Sequence, residues 1–366
     1  MARRFSRSWS CAGFQNTVRY RSRFVAEGGA KPVNRYGRSR FRRGVGLIIF
    51  AWTIFGLILP PPSRALSGSR PLELPAGLQH ALDSLRNGKY QQTIESSQSL
   101  REEFPGHPLP FLIAAESNWG LIFCQTGHIN SREIWNAAEE KSSPFDGEFS
   151  YAVESALSAS EAMRENPETA ALGAFYQGLA HGVRARLYTL RAERLSSGQE
   201  GKQMRESLLE AAALDSELQA DSDAGLGAYN YYADVLSPLI KLFRFFLLIP
   251  GGDRERGIAQ LESAAQNAVL VAPEAQYELA KIYGVRENRP ADSLLLFRGL
   301  IDQYPENAIF ALSGAIQAAR VGNRELAVRL ARRAVQASLK MDDVCRVRLE
   351  AASQQAVDRL TSDDSY

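Results

Sequence analysis

The chain has 366 residues, 45% hydrophobic and 23% charged, which is ample for a packed body and too apolar for general disorder. Its net charge of +2 hides a split: residues 1–43 hold twelve Lys or Arg against the single acid Glu27, and the rest carries 31 basic against 40 acidic residues. The basic block and the acidic body must therefore do different jobs.

Residues 1–43 form a basic N-terminal extension, and an uncharged apolar run follows over residues 44–59. Arg38, Arg40, Arg42 and Arg43 precede that run; Pro60, Pro61, Pro62 and then Ser63-Arg64-Ala65 close it. A positive flank, a short apolar stretch and small residues before a cut after Ala65 define residues 44–65 as a signal peptide or signal anchor. Cleavage is favoured, because a full span needs about 20 apolar residues. The body is then expected to be exported, periplasmic or held at the inner membrane through residues 44–59. The Arg-rich, acid-poor extension also has the composition of a mitochondrial presequence, the alternative address. A basic run beside an apolar stretch is topogenic rather than a nucleic-acid arm, so no nucleic-acid partner is expected.

After a linker at residues 66–74, almost everything reads helical. Small residues at i, i+4 and i+7 recur five residues after a turn glycine: Thr93, Ser97 and Leu100 after Gly88; Ala152, Ala156 and Ala159 after Gly147; Gly257, Leu261 and Ala264 after Gly252; Ala327, Ala331 and Ala334 after Gly322. Such residues share one helix face and admit a close partner helix, so the pattern predicts stacked helix pairs. Units are expected at 75–108, ending in Phe104-Pro105, and at 109–165, with an extra short helix near 131–141. Further units are expected at 168–214, turning at Ser196-Ser197-Gly198, and at 274–307, ending in Tyr304-Pro305. The last is 308–340, turning at Gly322-Asn323. Residues 341–366 are expected to be a capping helix and short tail.

The 308–340 unit, with Gly314 and Ala315 at the expected helix contact, resembles a tetratricopeptide repeat, and the preceding unit has that repeat's 34-residue length. Residues 225–265, with Tyr229, Tyr231 and Tyr232, an apolar helix at 238–250 and Gly251-Gly252-Asp253, resemble exported bacterial tetratricopeptide proteins. Together these readings give an all-α fold, a right-handed α-solenoid of antiparallel helix pairs with divergent repeats over residues 75–340. A concave solenoid surface binds extended peptides, so a non-catalytic interaction scaffold of the cell envelope with a protein or peptide partner is the expected function. The alternative is a carrier of an apolar ligand or lipid, its groove lined by Tyr229, Tyr231, Tyr232, Phe243, Phe245 and Phe246.

Catalytic spacing is missing. There is no GxxxxGK[ST] loop, HExxH or GxSxG, and Gly225-Leu226-Gly227 reads as a helix-entry turn. The four histidines are scattered, and Cys124 with His128 is a weak metal pair. Cys124 and Cys345 lie too far apart to suggest a disulfide framework, so Cys124 reads as a buried small hydrophobe. Asp215, Glu217, Asp221 and Asp223 read as caps and solvated surface. Neither an enzyme nor a cofactor is expected.

Overall fold

A computed structural model describes residues 72–127, 141–235 and 250–362. The basic extension, the apolar run, the apolar helix expected at 238–250, Phe243, Phe245 and Phe246 lie outside the described residues. So does nearly all of the short helix expected near 131–141.

The described residues are helical, with no strand among them. In chain order the helices are α1 (Ala76–Arg86), α2 (Tyr90–Glu103), α3 (Pro108–Thr126), α4 (Asp146–Arg164), α5 (Ala170–Leu190), α6 (Arg194–Leu214), α7 (Gln219–Asp234), α8 (Arg254–Asn267), α9 (Ala272–Lys281), α10 (Pro290–Gln303), α11 (Ala308–Arg320), α12 (Arg324–Ser338) and α13 (Asp343–Thr361). Each packs on the helix before and after it, giving an all-α solenoid.

One local turn recurs. Between α1 and α2, α5 and α6, and α11 and α12, a residue with positive φ (Gly88, Ala192, Gly322) is followed by an N–H that reaches back five residues. Lys89 donates to the Ser84 carbonyl, Glu193 to Tyr188 and Asn323 to Ala318. This ends the first helix by satisfying a carbonyl that would otherwise lose its partner, and it reverses the chain into the second. The α5–α6 reversal thus falls at Ala192, not at Ser196-Ser197-Gly198, which lie inside α6. Here tertiary packing on α5 overrides the weak helix propensity of Ser and Gly. Between α9 and α10 a single wider turn over Ile282–Arg286 shifts the closing bond, which runs from Arg289 to Tyr283, with Asn288 at positive φ.

The turn between units recurs as well. Phe104 and Tyr304 adopt nearly the same backbone angles, φ −122°, ψ 68° and φ −125°, ψ 71°, after α2 and α10. Three residues on, His107 and Asn307 cap α3 and α11 by accepting from the Leu109 and Ile309 N–H groups.

The small-residue faces are buried as the spacing predicts, except in α4, where Ser160 is buried in place of half-buried Ala159 and Gly147 lies inside the helix rather than in a turn. Thr93, Ser97, Ala156, Leu261, Ala264, Ala327, Ala331 and Ala334 are all fully buried. Gly227 and Gly257 mark a tighter crossing: a Cβ on Gly227 would lie 2.8 Å from the Gly257 carbonyl oxygen, so α7 and α8 meet backbone to backbone. Gly225-Leu226-Gly227 is accordingly helix interior, not an entry turn.

The solenoid closes on itself. The α1–α2 turn docks on the later units: Arg86 pairs with Glu274 at 2.9 Å and donates to the Leu270 carbonyl, the Asn307 amide donates to the Arg86 carbonyl, and Glu306 lies between Lys89 and Lys340. Gln91 N–H donates to Asp342, and Met341 covers Gly88. At the other end of the seam Arg348 of α13 donates to the Cys124, Gln125 and Gly127 carbonyls, capping α3. Beside it Cys124 and Cys345 are disulfide-bonded, Cα atoms 4.8 Å apart. This corrects the reading of Cys124 as an unpaired small hydrophobe. Of three hydrophobic clusters among the described residues, one spans this seam, running from Tyr90, Phe123 and Phe149 through Leu187 to Phe297, Phe310 and Leu349. Helix α3 buries 15 of its 19 residues and α11 10 of its 13, so both are covered nearly all round.

Candidate functional site

Tyr229, Tyr231 and Tyr232 sit on the last turns of α7, and their hydroxyls point to three different partners. Tyr229 donates to the Pro250 carbonyl at 2.8 Å and lies near Arg205. Tyr231 is fully buried and donates to Glu287 at 2.6 Å; Tyr232 donates to Glu278 at 2.5 Å and keeps 36% of its surface exposed. The two rings meet edge to face, 5.4 Å apart. Consecutive helix positions point about 100° apart, which is why one tyrosine packs under α8 and α9 while its neighbour faces outward.

Glu287 is the hub of this end. It also takes a bidentate contact from Arg254, and these donors hold its carboxyl below the usual range. Burial, then the Glu287 carboxylate, pushes the Tyr231 phenol up, so the pair is carboxylate and phenol at neutral pH. Burial works against the charge on Glu278, but Lys281 at 2.7 Å and the Tyr232 hydroxyl outweigh it. These tyrosines therefore tie α7 to α8 and α9.

A second polar cluster lies where α3, α5 and α9 approach. Arg186 pairs with Glu116 and stacks over Trp119, 4.5 Å from the ring centroid, while Trp119 stacks on Phe123. The Arg186 charge also reaches Tyr90, Tyr277 and Glu278. Signs alternate through Glu116, Arg186, Glu278 and Lys281, so the cluster is internally balanced.

Asp221 differs most from its expected place on the surface. It is 1% exposed and accepts from the N–H groups of Val269, Leu270 and Val271, holding the α8–α9 connection against α7. Asp215 does cap, accepting from the Glu217 N–H. Nothing in one sequence signals that Asp221 meets residues about 50 positions away.

For catalysis or metal binding the arrangement offers little. No group of three His, Cys, Asp or Glu side chains fit to hold a metal occurs among the described residues. The disulfide removes Cys124 as a ligand, and His128 lies outside the described residues. His181 is spent on Glu200 at 2.7 Å, His107 on its cap, and His80 is exposed. No helix among the described residues is long and apolar enough to cross a membrane.

No family model and no curated relative matches this chain. Among solved structures it is similar to the C-terminal part of a TPR repeat-containing protein from Cytophaga hutchinsonii, at 14% identity and a TM-score of 0.28, over 79% of this chain and 96% of that one. A likeness of that size adds nothing to the fold assignment, which rests on the recurring turns, caps and buried small-residue faces. Those define the chain as an all-α helical-repeat protein.

Proposed function

We propose that the chain is a non-catalytic interaction scaffold of the cell envelope, akin to exported bacterial tetratricopeptide proteins. The observation that carries this is the stack of helix pairs itself, which presents long helix surfaces to a partner. A disulfide supports the exported address, since such bonds persist in oxidising compartments and are rare in a reducing cytosol. The carrier alternative rests on the apolar stretch at 238–250, almost wholly outside the described residues, and gains no further support from the tyrosines, whose hydroxyls serve internal ties.

Two measurements test the reading. A reporter fused after Arg70 is expected outside the cytoplasm, and the full chain from cells is expected to resist thiol alkylation at Cys124 and Cys345 until reduced. A cytoplasmic, fully alkylated chain sinks the address. Affinity purification of the full chain under native conditions is expected to yield a stoichiometric protein partner; co-purified lipid without protein favours the carrier.

A further inference from the structure

First helices α3 and α11 are buried nearly all round, so a partner of those two units meets their outer, second helices instead.

One outer groove stands out. Between α10 and α12 lies a shallow depression lined by Arg298, Ile301, Asp302, Leu326, Arg329, Leu330 and Arg333. Its floor is apolar and its rim is cationic. Arg329 is matched by Glu325, and Arg333 lies 3.8 Å from Asp302 while donating to the Ile301 carbonyl. Arg298 has no ion-pair partner among the described residues, so three arginines face two carboxylates. Along α10, Leu295, Arg298 and Asp302 share a face at i, i+3 and i+7, and Leu295 is 69% exposed, the most exposed large hydrophobic residue of the described chain. It extends the apolar floor beyond the rim.

We infer that this α10–α12 groove is an interaction surface for an acidic, amphipathic helical segment of a partner protein, a reading that rests on the scaffold function proposed above. Apolar residues of the partner would pack on exposed Leu295 and half-buried Leu326, in the manner of a helix laid into a groove. Its carboxylates would meet Arg298 and Arg329, with charge complementarity setting specificity and on-rate. A flat anionic bilayer fits less well, because Ile301 and Leu330 lie nearly buried at the base of the depression, out of its reach.

The test uses the full chain and dye-labelled stapled helices of roughly 18 residues, with Leu at i, i+3, i+4 and i+7 and Glu elsewhere; a second peptide has Lys for Glu. Fluorescence anisotropy is expected to show the acidic peptide binding at least about tenfold tighter than the basic one, more weakly as salt rises. Arg298→Glu with Arg329→Glu is expected to cost at least about tenfold in that affinity without moving the unfolding midpoint, both side chains being exposed. Leu295→Asp is a second, independent variant expected to weaken binding. Equal binding to wild type and both variants, or no binding, overturns the surface. So does loss, in the arginine variant, of binding to phosphatidylglycerol vesicles but not to the peptide. Native complexes that survive both variants leave the scaffold standing and sink only this groove; absence of any native complex sinks the scaffold.

Discussion

The C-terminal and N-terminal helix pairs share one turn chemistry but differ in reach. Helices α10, α11 and α12 have 14, 13 and 15 residues, whereas α3, α4, α5 and α6 have 19, 19, 21 and 21. In the short set α12 stacks through one face, Ala327, Leu330, Ala331 and Ala334, while α11 is covered nearly all round. In the long set α3 is covered nearly all round and joins a core that continues into α13, while α4 buries one face, Phe149, Ala152, Val153, Ala156 and Ser160. A repeat protein assembled only from the short kind stays open, with a concave face for partners. Here α3 and the α1–α2 turn spend part of that face on closure.

The largest way to break this comparison is to unlink the two halves. Replacing Cys124 and Cys345 by Ser is expected to cost about 2 to 5 kcal/mol, since the bond closes a very long loop and constrains the unfolded chain. Urea unfolding of wild type with and without reductant, beside the double variant, measures it. Identical midpoints would mean that closure owes nothing to the bond and rests wholly on Arg348, Arg86 and the shared core.

Next comes the carboxylate that binds α7 to the start of the short-helix half. Asp221→Ala strands three backbone N–H groups, each formerly given to a charged acceptor, and is expected to cost about 2 to 4 kcal/mol. Hydrogen exchange at Leu270 and Val271 localises the effect. Unchanged protection there would show that the connection holds without it.

Helix contact in each half is probed by a matched pair of enlargements. In α12, Ala331→Trp overpacks a fully buried position; in α3, Gly120→Leu drives into the Tyr90 ring, which a Cβ would approach to 2.6 Å. Each is expected to cost about 1 to 3 kcal/mol in thermal unfolding, while exposed Arg332→Ala is neutral. A neutral Gly120→Leu would mean that α3 is not held in the closed core.

What could be read from sequence follows the same division. The turn at Gly322-Asn323, the Tyr304-Pro305 ending and the small-residue faces are local devices, so residues a few positions apart reveal them. The Cys124–Cys345 bond, the Asp221 acceptor and the Arg86–Glu274 pair join residues far apart in the chain, and composition and spacing carry no mark of them. Ser196-Ser197-Gly198 misleads for the converse reason: a locally turn-like string is held helical by α5. The tyrosines were legible as a distinctive group on one helix end, but their roles depend on Glu278, Glu287 and Pro250, which only folding supplies. Arg333 of α12 likewise reaches the Ile301 carbonyl, a partner that only folding supplies.

The smallest expected effect contrasts the two equivalent caps, His107 before α3 and Asn307 before α11. His107 Nδ1 accepts from the Leu109 N–H at 3.1 Å, which requires the neutral ring with its proton on Nε2, and the ring packs edge to face on Tyr176. Burial holds its pKa below the ordinary 6.5 in the folded chain. The unfolded chain therefore binds the proton more readily. This cap's contribution is complete above about pH 6.5 and declines as the pH falls toward the lower folded pKa. Asn307 caps with an amide that does not titrate. Between pH 7.5 and 5.5, wild type is expected to lose about 0.5 to 1 kcal/mol more stability than His107→Asn, which keeps an acceptor at the same place. Taking the difference between the two proteins cancels the carboxylates, such as Glu278 and Glu306, whose lowered pKa values also make stability fall with acid. Parallel pH profiles would show that His107 does not cap α3 through its neutral ring, and the two caps would then differ in more than chemistry.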